Sequence, residues 1–575
     1  MGVKHFFIYL KNNFGKHIKS LKNPQTFSTI NTPIDNLMID LNGVFHSATQ
    51  KIYQYGAGKV PVSILLKHKK KSVGGIKQQI QVFEEICKTI DKLFYITAPK
   101  KRLILCVDGP APASKSAQQR ARRFKSAMEK TDEEFTKFDQ NSISVGTKFM
   151  NHLTKYIDWY IRKRISLDPL WKNIDVIFSG DTVPSEGEQK LMTYIRLYGD
   201  LKDTFCIHGL DADLIMLALV THFPNFYIIR DDLYDSKNDY FVVDIGNIRK
   251  DLCAIMDWTS ISTTHTFNPK WAINDFVFLC FTVGNDFVPH VPSLEILEGS
   301  IDQMLEIYRN VGKTYGHLTS DSKMVTINKK ALEIFFGTIS LHDKKFFEDK
   351  IRKKDKFFPD LLLEKHTPFK NGRYELNIEK YKEEYYHTHF ENVDIKSLCL
   401  QYIEGLQWVL SYYTRGVPDW KWCFRHHYAP FAHELATHMS DFKHPDIKKT
   451  SPVLPFFQLL SILPPKSSNL LPHPLNILLT DKNSPIKQFC PESFHVDVSG
   501  KRKEWEGIVI LPIVDSDIIE HEYSKLIEKV STHDMRRNIV GKSFIYSISD
   551  VPVLFKSYFG DIDNCMVKLR EIDLN

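Results

Sequence analysis

Short apolar runs alternate with amphipathic helical patterns from residue 35 onward. The runs that predict strands lie at 36–41, 102–107, 174–178, 203–207 and 226–229, and the helical patterns lie near 76–94, from about 115, near 186–196 and near 212–221. Strands that are apolar throughout and alternate with helices are typical of a parallel sheet covered on both faces. The pattern therefore predicts an α/β fold with a parallel-sheet core flanked by helices, and ligands of such sheets bind at the carboxyl ends of the strands.

The pattern changes twice further along the chain. Residues 1–340 carry the alternating elements, residues 341–395 are dense in Lys, Asp and Glu with weak periodicity, and residues 396–575 are rich in aromatic side chains. We expect a core domain at 1–340 and a charged connecting segment at 341–395. A second, mostly helical block at 396–575 is expected to pack against the core.

The composition excludes several classes of protein. With 575 residues, 43% hydrophobic and 25% charged, the chain is long enough for a large buried core, which excludes a small disulfide scaffold and wholesale disorder. The nine cysteines show no CxxC spacing, which indicates reduced thiols in an intracellular protein. The longest apolar runs, such as Phe276–Val283, are far shorter than the roughly 18 residues of a membrane span. No membrane segment is predicted.

The compartment is expected to be the cytoplasm, with the nucleus as second choice. The first 34 residues contain five Lys and no acid, but they lack the apolar region of a signal peptide and the Arg of a transit peptide. A basic loop at 67–75 resembles a nuclear signal, although a solvated loop is the more common meaning of such a run.

The net charge of +7 is concentrated in one place. Residues 101–130 hold eight basic and two acidic residues, and the rest of the chain is nearly neutral. A local positive block on a near-neutral protein indicates a dedicated anion site, and its alternative is a solvated helix face.

Acidic residues follow the predicted strands. Taken singly, each has a structural alternative: Ser185 with Glu188 fits a capping box, Asp211 fits a helix N-cap and Asp108 before Gly109 fits a turn. Taken together, they would crowd at one sheet edge, where like charges cannot all ionise unless cations are present. The acids after the strands are Asp40, Asp108, Glu186, Glu188, Asp211 and Asp213, and Asp286 of VGNDF, which follows an apolar helix, completes the set of seven.

Carboxylates without a Cys or His pair at zinc spacing favour Mg²⁺ or Mn²⁺. Two such ions about 3.5 to 4 Å apart activate a water and stabilise the leaving oxygen of a phosphodiester. The acids therefore predict nuclease chemistry.

The basic block predicts a phosphate pocket beside this cleft. In the helical pattern after Pro112, four residues fall within about a third of a turn of one face: Lys115, Gln119, Arg122 and Arg123. Two guanidinium groups, an ammonium and an amide near a helix N-terminus suit a phosphate. The pocket and the cleft together suggest an enzyme that holds a terminal phosphate while it cuts the next bond.

Long segments of the chain carry distinctive motifs. In the first block these are MIDLNGVFH, VDGPAPASKSAQQRARRFKSA, SGDTVPSEGEQKLMTYIR, HGLDADLIMLAL and DFVFLCFTVGNDFVPHVPSLEI. In the second block they are YIEGLQWVLSYYTRGVPDWKWCFRHHYAPF, LLTDKNSPIKQFCP and GKRKEWEGIVILP. Segment by segment, they resemble the Xrn/Rat family of processive 5′→3′ exoribonucleases, and the resemblance extends from the first residues to about residue 520.

The resemblance implies a flap-endonuclease-type core at 1–340 whose seven acids hold two Mg²⁺. It also implies that Lys115, Gln119, Arg122 and Arg123 bind a 5′-monophosphate and reject a cap or triphosphate, so that decapping machinery acts first. His46 matches a residue that stacks on a base, with Trp420 or Trp422 as its partner, and Asn42 is a weaker candidate that supports the acids. The implied activity is degradation of 5′-monophosphorylated single-stranded RNA to nucleoside 5′-monophosphates in mRNA decay, by a monomer.

Two other functions remain open at this point. One is a flap-type DNA 5′-nuclease on the same core, which is disfavoured because the aromatic second block resembles the RNA enzymes. The other is an inactive RNA-binding scaffold, which is disfavoured because all seven acids are present.

For Trp420 and Trp422, ordinary packing in the protein core is an equal alternative to base stacking.

Overall fold

The structure, a computed structural model, describes residues 2–21, 32–55, 75–129, 138–232, 240–259, 265–321, 325–445 and 450–574. The predicted basic loop at 67–75 lies outside these residues except for Gly75. The α-helices are α1 (Phe6–Phe14), α2 (Leu41–Tyr53), α3 (Ile76–Thr97), α4 (Ala113–Glu129), α5 (Lys148–Leu167), α6 (Gly187–Tyr198), α7 (Asp213–Val220), α8 (Ile245–Met256), α9 (Pro269–Phe281), α10 (Ser300–Tyr315), α11 (Lys329–Ser340), α12 (Asp343–Arg352), α13 (Leu361–His366), α14 (Ile378–His389), α15 (Ile395–Arg415), α16 (Ala432–His438), α17 (Pro455–Ile462), α18 (Ser516–Leu526) and α19 (Thr532–Met535).

The strands are β1 (Ile18–Leu21), β2 (Asn36–Asp40), β3 (Arg102–Cys106), β4 (Asp175–Ser179), β5 (Phe205–His208), β6 (Phe226–Asp231), β7 (Tyr240–Asp244), β8 (Thr319–Asp321), β9 (Val325–Ile327), β10 (Phe369–Lys370), β11 (Arg373–Tyr374), β12 (His495–Asp497), β13 (Ile508–Ile510), β14 (Ser543–Phe555) and β15 (Ile562–Ile572).

The central sheet has the strand order β1-β7-β6-β5-β2-β3-β4-β14-β15. Its five middle strands, from β6 to β4, are parallel, while β7 and β1 at one side and β14 and β15 at the other pair antiparallel. The predicted α/β fold with a parallel-sheet core is confirmed, and each of the five predicted strands lies within about two residues of its observed position. The antiparallel outer strands were not predicted.

Both faces of the sheet are buried. Side chains alternate along β2, so that Leu37 and Ile39 pack into the layer formed by α2, α3 and α5, while Met38 packs into the larger layer on the opposite face. Strand β3 repeats the alternation, with Leu105 on the first side and Ile104 on the second. This two-sided burial explains why the strands are apolar throughout rather than alternating.

The second block packs against the core domain through the larger layer, which α15 enters along its whole length. The C-terminal hairpin β14–β15 extends the core sheet itself, because Phe544, Ile545 and Tyr546 pair with β4. The charged stretch at 341–395 contains α12, α13 and α14 with the β10–β11 hairpin. Among the described residues, none of the helices has the length and apolar character needed to cross a bilayer.

Candidate active site

The carboxyl ends of the parallel strands lie at one level along the sheet. The register pairs Asp40 with Cys106, Cys106 with Ser179, and Ile39 with His208. Asp40 ends β2, and acids follow the ends of β3, β4 and β5, so they emerge at the same edge. We call the seven predicted acids the acidic cluster: Asp40, Asp108, Glu186, Glu188, Asp211, Asp213 and Asp286.

Asn42 holds two of these acids in place. Its backbone N–H donates to Asp40 Oδ1 at 3.3 Å, which caps α2. Its side-chain Nδ2 donates to Asp108 Oδ2 at 2.7 Å, and its side-chain oxygen Oδ1 accepts from the Asp108 backbone N–H at 3.0 Å. Three hydrogen bonds from one asparagine therefore tie the end of β2 to the end of β3.

Helix α6 approaches the strand ends closely because its first residue is a glycine. The Gly187 N–H donates to Asp108 Oδ1 at 2.7 Å. A Cβ at Gly187 would lie 2.7 Å from Asp40 Oδ1 and 3.3 Å from the Cys106 carbonyl oxygen, and 2.7 Å is closer than Cβ atoms come to other atoms in real structures. The glycine in the sequence SEGE is therefore required by the site.

The structural alternatives for two acids are absent from the structure. Glu186 precedes α6 with no side-chain cap bond, so Ser185 and Glu188 form no capping box. Ala212 precedes α7, so Asp211 is not its N-cap. Glu188 and Asp211 therefore do not have the capping roles that the sequence alone allowed them.

The acids raise one another's pKa values. Burial, and then the charges of Asp108 and Asp211, raise the pKa of Asp40 well above its ordinary value. Burial and the neighbouring Asp211 and Asp286 raise the pKa of Asp213 to about 7. The pKa of Glu188 is also raised well above its ordinary value, first by burial and then by Asp213. By contrast, although burial raises the pKa of Asp286, Lys115 lowers it below its ordinary value, so the excess of negative charge is confined to part of the cluster.

Lys115 lies inside the acidic cluster. Its ammonium is 2.7 Å from Glu186 Oε1 and 2.9 Å from Asp286 Oδ2. Although burial lowers the pKa of Lys115, Asp286 and Glu186 outweigh it and hold that pKa well above its ordinary value. In the described part of the chain, no three of the acids come together as a set that could hold a metal ion. The lysine, and the Gly2 N–H that donates to Asp286 Oδ1 at 3.1 Å, partly balance the acids instead.

An aromatic stack from the second block ends on the acidic cluster. Tyr412 of α15 is fully buried and its hydroxyl donates to Glu186 Oε2. Its ring stacks on Trp408 one helical turn earlier, with centroids 5.3 Å apart, and Trp408 stacks on Trp422 at 5.0 Å. Sequence reasoning missed Tyr412, because nothing in a helix from a distant block marks one of its tyrosines as a partner of Glu186.

The four residues predicted for the phosphate pocket all lie on α4 but have different surroundings. Arg122 is exposed, whereas Arg123 is buried. The Arg123 guanidinium donates to Ser144 Oγ at 2.7 Å and to the side-chain oxygen Oε1 of Gln119 at 3.2 Å. Burial, and then the charge of Arg122, lower the pKa of Arg123. A buried guanidinium that donates to neutral groups, as Arg123 does, is a favourable place for an anion. Lys115 instead contacts the acids, as described above.

A cavity of about 1710 Å³ lies beside α4 and reaches the acidic cluster at Asp286. Arg122, Arg123 and Asp286 line it, together with His46 and Trp420. The Trp420 carbonyl oxygen accepts from the Ala113 N–H at 2.9 Å, which fixes this tryptophan at the start of α4. Trp422 belongs to the aromatic stack. The structure therefore brings Trp420, rather than Trp422, to the cavity that His46 also lines.

Two family models match nearly the whole chain. The XRN 5′-3′ exonuclease N-terminus matches residues 1–232, and the Xrn1 helical domain matches residues 266–372 and 364–565.

Known relatives agree with these matches. The chain is 28% identical to 5′-3′ exoribonuclease 1 of Saccharomyces cerevisiae over 98% of its length and 46% of the yeast protein. It is 28% identical to the 5′-3′ exoribonuclease 2 homolog of Drosophila melanogaster, over 90% of this chain and 68% of that protein. The human 5′-3′ exoribonuclease 1 is 27% identical over 100% of this chain and 37% of that protein. The chain thus spans less than half the length of two of these three relatives.

A solved structure of the catalytic core of Rad2 in complex with DNA matches 61% of this chain and 80% of that chain. The identity is 16% and the TM-score is 0.31, which is too low to establish a shared fold.

Proposed function

Because this chain belongs to the XRN 5′-3′ exonuclease family, we propose that it is a 5′→3′ exoribonuclease. Its substrate is 5′-monophosphorylated single-stranded RNA, from which it removes nucleoside 5′-monophosphates one at a time in mRNA decay. The observation that carries the proposal is the alignment of Asp40 and the acids after β3, β4 and β5 at one sheet edge, next to a cavity lined by arginines.

The acidic cluster fits divalent cations by its chemistry. Its donors are carboxylate oxygens, which hard cations prefer, and their raised pKa values show an excess of negative charge that a cation relieves. We assign all seven acids to the site of two Mg²⁺ or Mn²⁺ ions, although no three of them form a ready ligand set in the described part of the chain, where Lys115 lies between Glu186 and Asp286. Such ions supply the Lewis acidity for hydrolysis of a phosphodiester. Asn42, Gly187 and Tyr412 position the carboxylates.

The 5′ end of the RNA is held by α4. The exposed Arg122 and the buried Arg123 bind the terminal phosphate, with Gln119 fixing the Arg123 guanidinium and Lys115 bridging the phosphate to the acidic cluster. We expect this pocket to accept a monophosphate and to exclude a cap or triphosphate, so that a decapping reaction precedes this one. His46 and Trp420 stack on a base of the substrate, which is tolerant of sequence because every base has a π face.

The proposed function includes a cellular compartment for the enzyme. All nine cysteines are free thiols, as in a reducing compartment. We place the enzyme in the cytoplasm, with the nucleus as second choice, acting as a monomer downstream of decapping machinery.

An end-chemistry assay tests the proposed function. The protein is incubated with RNAs of one sequence that carry a 5′-monophosphate, a 5′-triphosphate or a cap, and with a monophosphorylated DNA strand, each with Mg²⁺ or with EDTA. We expect nucleoside 5′-monophosphates only from monophosphorylated RNA and only with Mg²⁺. Faster cleavage of the DNA would make the protein a DNA nuclease, and RNA binding without any cleavage would make it a scaffold.

A further inference from the structure

An exposed tryptophan lies at the mouth of the cavity. Trp505 leaves 58% of its surface in solvent while it lines the cavity that Arg122 and Asp286 also line. Its indole contacts the His5 ring, with centroids 5.6 Å apart, and the Lys4 ammonium lies 6.0 Å from its ring centroid. A tryptophan combines a large apolar face with a polar N–H, which suits it to contact a ligand at a solvated surface.

The turn that carries Trp505 is tied to the elements of the candidate site. The Glu506 carboxylate is 2.7 Å from His5 Nε2, and Lys4 donates to the Glu506 carbonyl oxygen at 2.9 Å. On the other side, Lys125 of α4 donates to the Glu504 carbonyl oxygen at 3.0 Å. The turn that carries Trp505 is therefore tied on one side to the N-terminal segment, which reaches Asp286, and on the other to the helix that carries Arg122.

Positive charge surrounds this turn and is only partly balanced. Lys4 and Lys125 bond to backbone carbonyl oxygens, and Lys501 bonds to the neutral His290 Nε2 at 2.9 Å. The Lys125 ammonium lies 3.9 Å from Glu129 Oε1. Burial, and then the charges of Lys501 and Lys125, lower the pKa of Lys4 to about 8, although Glu506 opposes them. An anion at this place would relieve the repulsion between the lysines.

We propose that Trp505, with Lys4 and Lys125, forms a second contact for the RNA strand, in which a base beyond the fourth nucleotide from the 5′ end stacks on the indole and a phosphate binds the ammonium groups. An aromatic face flanked by cations is the usual means of holding single-stranded nucleic acid without reading its sequence. The contact rests on the proposed exoribonuclease function, and it lengthens the path over which the enzyme holds its substrate between successive cuts.

The test compares short and long substrates. Kinetics of the parent protein and of Trp505→Ala are measured on monophosphorylated RNAs of about four and about twenty nucleotides. We expect KM for the long RNA to rise about tenfold, since loss of one stacking contact typically costs this much, while KM for the short RNA and kcat for both stay unchanged. Trp505→Phe should restore most of the affinity. Tyr558→Ala, which removes another highly exposed aromatic from the β14–β15 hairpin, is the matched control and should change nothing.

The outcomes separate this contact from the proposed function. Equal effects of Trp505→Ala on both lengths, or no effect on either, would overturn the contact while leaving the exoribonuclease intact. If the parent cuts neither RNA, the proposed function fails, and fluorescence anisotropy with the labelled long RNA then tests the contact alone. Tenfold weaker binding by Trp505→Ala supports it, and equal binding overturns it.

Lys125→Ala tests the electrostatic part of the contact. Removing one phosphate contact should make log KM for the long RNA less steep against log salt by about one. An unchanged salt slope would show that Lys125 does not contact the phosphate backbone.

Discussion

At the scale of single residues, the acidic cluster is held in place by groups that are not themselves acids. Tyr412 donates to Glu186, Asn42 bonds Asp108 twice, and Gly187 brings a helix N–H to the same carboxylate. Each of these contacts constrains a carboxylate of the proposed metal site. Mutations at these residues therefore separate the positioning of the acids from their charge.

Tyr412→Phe keeps the aromatic stack and removes only the hydroxyl. We expect kcat to fall about tenfold with little change in KM, because a hydrogen bond to a charged group is lost while the RNA contacts remain. Steady-state kinetics on monophosphorylated RNA measure this. The control is Tyr402→Phe, which removes a buried hydroxyl on the same helix that donates to the Pro289 carbonyl oxygen at 2.8 Å. Equal losses of kcat in both variants would show that Tyr412 serves only stability.

Asp213 predicts a pH dependence of stability in the metal-free protein. Its folded pKa of about 7 lies above that of an unfolded aspartate, so the folded state holds a proton that the unfolded state releases as pH rises above about 4. The stabilising contribution is therefore complete below this range and is lost as pH rises through 7. In EDTA, the Tm of Asp213→Asn relative to the parent should rise between pH 5 and pH 8. A constant difference in Tm across this range would contradict the raised pKa.

At the scale of elements, the ends of the parallel strands position the acids, and Gly187 lets α6 approach those strand ends closely. Gly187→Ala would put a Cβ 2.7 Å from Asp40 Oδ1, so α6 or the Asp40 carboxylate must shift. We expect the rate to fall about a hundredfold, as displacements near 1 Å do in active sites. The control is Gly43→Ala on α2, where an added Cβ meets no atom within 4 Å. Retention of full activity by Gly187→Ala would show that this close approach is not required.

The sequence predicts the sheet well because each middle strand is a continuous apolar run buried on both faces. The acids at the strand ends could be predicted as a group, since parallel strands bring their carboxyl ends to one edge. The direction of the Lys115 side chain could not, because a helical wheel places it beside Arg122 and only the tertiary structure shows the acids on its other side. The pairing of β14 with β4 was equally hidden, since it joins strands more than 350 residues apart in the chain.

At the scale of the whole molecule, the two blocks share one core and one site. The larger buried layer contains residues of α7, α9 and α15, the β14–β15 hairpin extends the core sheet, and Tyr412 reaches Glu186 across the boundary. We expect the metal-free protein to unfold in a single calorimetric transition, with equal calorimetric and van't Hoff enthalpies. Two separate transitions would show that the blocks are independent domains.

The charge of the molecule is divided between two places that the net figure hides. The excess of Lys and Arg lies on and near α4, while the acidic cluster lies at the sheet edge beside it, with Lys115 between them. In the proposed enzyme, the basic residues of α4 bind the end of the RNA and the acidic cluster is the site of cleavage.

The most direct test is the ratio of degradation rates on 5′-monophosphate and 5′-hydroxyl RNA, measured for the parent and for Arg122→Ala. We predict a strong preference for the monophosphate in the parent. In Arg122→Ala the ratio of the two rates should be near one, with the rate on hydroxyl RNA unchanged. Arg309→Ala, an exposed arginine of α10, should keep the parent's ratio. A preference that survives in Arg122→Ala would contradict the assignment of α4 as the element that binds the RNA end.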